Sequence, residues 1–129
     1  MINTQKKKRL LERRKEKRLA VQEGALAVLH NQKYKIGPII DISHGGLSFR
    51  YVDGEKQPIH SFALSIFFTG EAFRIRKLPF KTIYDIQENP KKGPSYVLIR
   101  RIGGQFGKLT TDQRSVLGYF IENYKITEF

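Results

Sequence analysis

The 129-residue chain has no cysteine and no tryptophan, a single methionine, and half as many acidic residues as basic ones. Without cysteine, disulfide scaffolds, thiolate metal sites and cysteine nucleophiles are excluded together, and the composition agrees with a reducing compartment. No apolar run approaches the roughly 20 residues that span a bilayer, and the N-terminal segment is charged where a secretory leader needs an apolar stretch. The reading is a soluble, cytoplasmic protein without a transmembrane segment. Its three histidines lie far apart with no carboxylate at ligand spacing, so no metal is expected. Nucleophile elbows, Gly-rich phosphate loops with their lysine and paired-histidine motifs are also missing, which argues against an enzyme and against a bound cofactor.

What is present is charge of one sign and a strand-rich pattern. The net charge is +12, a field that attracts phosphate groups. More than half of the excess lies between Lys6 and Arg18, where nine Lys or Arg face only Glu12 and Glu16. Residues 1–18 have no apolar face beyond Leu10 and Leu11 and read as a basic N-terminal arm. The remainder, residues 19–129, is the length of one ordinary domain.

Alternation at period two predicts strands over residues 19–29 with a bend at Gly24, then over 34–42, 46–52, 62–68, 73–78, 81–87 and 96–102. Pro79 is expected to interrupt the fifth and sixth of these, and the last to continue past Gly103-Gly104 through 105–107. The period then changes. Thr110 and Gln113 have the spacing of a capping box, and Val116, Leu117, Phe120, Ile121 and Tyr124 follow at helical spacing, which predicts one closing helix of roughly 12–14 residues. No βαβ pattern appears, so the expected fold is mainly β, an antiparallel barrel or sandwich with a C-terminal helix.

Two segments carry chemistry. Asp41-Ile-Ser43-His44-Gly45-Gly46 places a carboxylate, a hydroxyl and two glycines in one turn. The carboxylate can accept hydrogen bonds from adjacent N–H groups such as guanine N1 and N2, and glycine admits close approach to the backbone. The same residues also suit an Asx-type turn that serves only its own amides. In the arm, Arg13, Arg14 and Arg18 offer guanidiniums that bind phosphate bidentately and stack on bases; alone, such a run is usually solvated.

Together, Arg14-x-x-x-Arg18 and Asp41-x-Ser43-x-x-Gly46, with the closing Arg101-Ile-Gly-Gly-Gln-Phe106 and its following helix, resemble the PilZ family over roughly residues 12–124. The resemblance implies a six-stranded antiparallel PilZ-type β-barrel with a C-terminal helix, and cyclic di-GMP as ligand. It implies that Arg14 and Arg18 grip phosphates and guanine edges with Arg13 adding a contact, that Asp41 and Ser43 hydrogen-bond a guanine, and that Gly46 leaves room for it. Tyr84 is the nearest candidate for a stacking aromatic. On this reading ligand binding rearranges the arm, and an unidentified effector protein reads the change; the chain is a monomer or homodimer. The alternatives are a basic nucleic-acid-binding barrel, disfavoured because the strand aromatics are expected to alternate inward, and a PilZ-like adaptor without ligand.

Overall fold

A computed structural model of the chain describes residues 17–30, 34–52, 61–88 and 98–126. Among the described residues seven strands, β1 (Leu19–Ala20), β2 (Ala25–His30), β3 (Tyr34–Ile42), β4 (Gly46–Val52), β5 (Ser61–Phe68), β6 (Phe73–Gln87) and β7 (Ile99–Phe106), precede one helix, α1 (Thr111–Tyr124). All pairings are antiparallel, in the order β3-β2-β5-β6-β7-β4, and β4 returns to β3. Six strands thus close into the expected barrel, and the short β1 adds to the end of β3 through Leu19↔Ile42 and Ala20↔Asp41. Closure removes the exposed edges that an open sheet would leave.

The pleat sorts the side chains. Ala25, Ala27 and Leu29 of β2, Leu47, Phe49 and Tyr51 of β4, and Leu64 and Ile66 of β5 all point into the core. At one end α1 closes the barrel with Leu117, Phe120, Ile121 and Tyr124, whose rings stack on Phe68 and Phe73; the Phe68–Tyr124 centroids are 4.1 Å apart. The helix starts at the predicted capping box: the Thr110 hydroxyl accepts from the Gln113 amide, and the Gln113 side chain accepts from the Thr110 amide. Among the described residues no helix is long and apolar enough to cross a membrane.

Two boundaries differ from expectation. Gly24, at φ 99°, makes a turn that separates β1 from β2, so residues 19–29 are not one bent strand. Conversely, Pro79 does not break β6. It pairs with Ala63 just before the β7 ladder starts at Phe80↔Phe106, and its carbonyl accepts the Gly107 amide. Bulges absorb the length of β6 instead, one beside Leu64/Ile66 and one between Thr82 and Tyr84.

Candidate functional site

The position of Asp41 depends on a bulge. Ile39 points into the core, so strict alternation would send Asp41 inward too and Ile42 outward. The register of β3 on β4 shifts between Ile39 and Asp41, which keeps both isoleucines buried and turns the carboxylate onto the outer face opposite Ser48. There Asp41 collects three donors. Its Oδ1 accepts from Ser48 Oγ at 2.8 Å and from the Arg18 guanidinium at 3.3 Å; its Oδ2 accepts from the Arg101 guanidinium at 3.2 Å.

Arg18 reaches this carboxylate because β1 lays the chain antiparallel to the end of β3. Its second terminal nitrogen donates to the Gly104 carbonyl at 3.2 Å. That contact explains Gly46: a Cβ there would lie 2.2 Å from the Gly104 oxygen and 3.2 Å from the Arg18 guanidinium. The space next to Gly46 is filled by the neighbouring strand and by Arg18. Ser43 is buried, its amide donating to the Gly46 carbonyl at 2.8 Å and its hydroxyl accepting from the Gly45 amide at 3.1 Å, so it holds the turn's shape. The exposed tip, His44, lies beside Gly118 of α1, where a Cβ would come within 3.4 Å of the ring. Arg13 and Arg14 lie outside the described residues.

The site is wider than the two motifs. Arg101 sits opposite Arg50 on the outer face of the β4–β7 pair, and its other terminal nitrogen lies 3.7 Å from Glu88. Glu88 also accepts from Arg50, whose guanidinium is held even more firmly in its charged form by that hydrogen bond. Arg18, Asp41, Arg101, Glu88 and Arg50 therefore form one line of alternating charge. Beside it Tyr84 turns outward at the Thr82/Tyr84 bulge and covers Gly103, where a Cβ would meet the ring at 2.3 Å. The expectation that strand aromatics alternate inward fails at Tyr84 and at the exposed Tyr34. The missed residues Ser48, Arg50 and Arg101 share one sequence signal, outward parity on their strands.

Beneath this line is a buried counterpart. Inside the barrel Asp85 accepts from the Tyr51 hydroxyl and from Arg100 at 2.8 Å, and Arg100 also donates to the Asp85 carbonyl. Burial, then the Asp85 hydrogen bond and charge, push the Tyr51 phenol up. Burial works to lower the Arg100 pKa, but the hydrogen bond and charge of Asp85 together with Tyr51 outweigh it and the guanidinium ends above its usual range. This cluster ties β4, β6 and β7 together under the outer site. Among the described residues no group of three or more His, Asp or Glu could hold a metal ion.

Comparisons with known proteins bear on the fold. No family model matches the sequence, and no curated protein matches it. Among solved structures the chain is similar to the complex of MrkH from K. pneumonia with c-di-GMP, with a TM-score of 0.65 and 13% identity. The match covers 85% of this chain and 51% of that one, so the chain spans about half the length of that protein.

Proposed function

We propose that this chain is a PilZ-type module that binds cyclic di-GMP at the Asp41 turn and passes the event to a partner protein through its arginine arm. The observation that carries this reading is the meeting of Arg18 and Arg101 on the two oxygens of Asp41, on the outer face of a barrel similar to one solved with c-di-GMP. A carboxylate flanked by guanidiniums offers acceptors to guanine N–H groups and donors to phosphate and to the Hoogsteen edge. Asp41 already accepts from Arg18, so a guanine on Asp41 competes with that pair and releases the Arg18 guanidinium toward a phosphate. Arg13 and Arg14 join from the arm. The exchange changes the path of the arm, and that change is the signal. The module works in the cytoplasm, by binding rather than by catalysis, and without a cofactor.

Calorimetric titration with cyclic di-GMP tests the reading. The wild-type chain gives a saturable isotherm, and Arg14→Ala, Arg18→Ala or Asp41→Ala each weakens it at least about tenfold, on the order of 1.4 kcal/mol. Absence of heat with the wild-type chain overturns the proposal. The stoichiometry of the isotherm reports whether one or two ligands bind.

A further inference from the structure

In an antiparallel barrel packed on the inside, outward positions are normally polar. The outer faces of β4 and β6 follow that rule in the main, with Ser48, Arg50, Arg74, Arg76 and Lys81, the exposed Val52, Ile83 and Ile86 being set among these polar groups. The outer faces of β2 and β3 do not. With Ala25, Ala27 and Leu29 directed inward, Leu26 and Val28 face outward on β2. On β3 the outward positions are Tyr34, Ile36 and Pro38, with Tyr34 68% and Ile36 55% exposed. Phe67 of β5 extends the face opposite Leu26. Two polar side chains described on it are turned on each other: His30 Nε2 and Ser65 Oγ are 2.9 Å apart, and Ser65 also accepts the Lys77 amide at 3.2 Å. Exposed apolar surface gathered in one place, with its polar groups already satisfied, marks an interaction site.

One edge of this face is basic by construction. On β6 a bulge brings Arg76 and Lys77 out side by side, next to Arg74, and all three are exposed. Lys77 adopts φ 55°, a left-handed conformation that lysine rarely takes. It is held there from both sides, its amide donating to Ser65 and its carbonyl accepting from Gln113 of α1. No ion pair engages Arg74, Arg76 or Lys77 among the described residues. A strained lysine fixed beside an apolar face is a device for placing charge.

We infer that the outer face of β2, β3 and β5 is the docking surface for a protein partner whose apolar patch is bordered on one side by carboxylates. The inference goes beyond the ligand reading and does not depend on it. Charge complementarity selects the partner: apolar contact supplies the centre, Arg74, Arg76 and Lys77 meet acidic side chains at the edge, and Tyr34 is of the type enriched at such interfaces. A second copy of the chain is disfavoured by its net charge of +12. A lipid surface is disfavoured because the apolar groups lie along strands of the barrel wall with cations on one edge, not on a protruding tip ringed by them.

The test places a photo-cross-linking phenylalanine analogue at Tyr34 in the full chain, in its own cells, with the exposed Tyr119 of α1 as control. The protein captured at Tyr34 is then purified and titrated against wild type, Ile36→Lys and Arg76→Glu. Ile36→Ser guards against misfolding of the lysine variant. The expected result is a hetero-adduct at Tyr34 and not at Tyr119, binding weakened at least about tenfold by each substitution, and further loss as salt is raised. Each variant keeps the wild-type response to cyclic di-GMP. An adduct of the chain with itself overturns the inference, as does no adduct, or partner binding indifferent to both substitutions. Sedimentation with phosphatidylglycerol vesicles that Ile36→Lys abolishes also overturns it, in favour of lipid. A chain that cross-links as expected but gives no heat with cyclic di-GMP sinks only the ligand reading.

Discussion

Arg101 and Asp41, 60 residues apart in sequence, meet at 3.2 Å on the outer face of the barrel. The same nitrogen also donates to Ser48, which in turn donates to Asp41. Arg101 therefore fixes the carboxylate from the rigid side of the site, whereas Arg18 approaches it from the arm.

That division makes Arg101 a test of the rigid half of the site. Arg101→Gln keeps length and polarity but removes the charge, so Asp41 loses its fixed orientation, and cyclic di-GMP affinity falls about tenfold. The pair is partly open to solvent, with side-chain exposures of 29% and 23%, so its loss costs the fold no more than about 1 kcal/mol. Titration calorimetry beside urea denaturation separates the two effects. A large shift in the urea midpoint with unchanged affinity counts against the assignment.

Tyr84 offers a second contrast. Its ring rests on Gly103, two residues from Arg101 in sequence and opposite Ser48 in the β4–β7 pair. If the ring is a platform for a base, Tyr84→Phe retains cyclic di-GMP affinity and Tyr84→Ala loses about 1–3 kcal/mol of it. If the ring only covers glycine, Tyr84→Ala destabilises the barrel and leaves affinity alone. Gly103→Ala pushes the ring off its seat and reproduces the binding defect of Tyr84→Ala.

The barrel was legible in the sequence because two periods are written into it: alternation through 46–52 and three-and-four spacing after Thr110. The Asp41 turn was legible as a motif. Three bulges were not, at Ile39/Asp41, at Lys77 and at Thr82/Tyr84. Each inserts one residue and inverts the side to which the following residues point, and packing against the partner strand decides where the extra residue falls. The same reason hid Arg101. Its place beside Asp41 follows from the registers Arg50↔Arg101 and Asp41↔Ser48, which involve three strands at once.

Gly37 tests how tightly those registers are held. A Cβ on it would lie 1.4 Å from the Arg50 carbonyl oxygen, a backbone atom that cannot rotate away. β3 and β4 must separate to accept any side chain there, and β4 carries both Ser48 and Arg50. Gly37→Ala is expected to cost about 3 kcal/mol or more, at or beyond the upper end of ordinary overpacking. Urea denaturation reads the loss. A midpoint within error of wild type would show that the two strands do not press together at this point.

The alkaline limit of stability follows from two phenols. Tyr51 is raised by burial first and then by its hydrogen bond to Asp85. Tyr124 is pushed up to about 12, first by its hydrogen bond to Glu71 and then by burial. In the unfolded chain both titrate near the usual value of about 10. Below that pH folded and unfolded chains alike hold these protons, and the stabilisation of the neutral phenols is fully present. As pH rises past about 10 the unfolded chain releases protons that the folded chain keeps, so stability falls, and it continues to fall through about 12 where Tyr124 ionises in the fold. Tyr51 therefore keeps its proton in the fold well beyond the pH at which the unfolded chain loses it, and Tyr124 keeps its own up to about 12. Absorbance of phenolate at 295 nm, followed beside far-ultraviolet circular dichroism, is expected to show a late component that appears together with loss of strand signal. Tyr51→Phe removes part of that component and lowers stability at neutral pH by about 1–3 kcal/mol, because buried Asp85 loses a donor. Phenolate formation that is complete near pH 10 with the strand signal intact would refute the assignment.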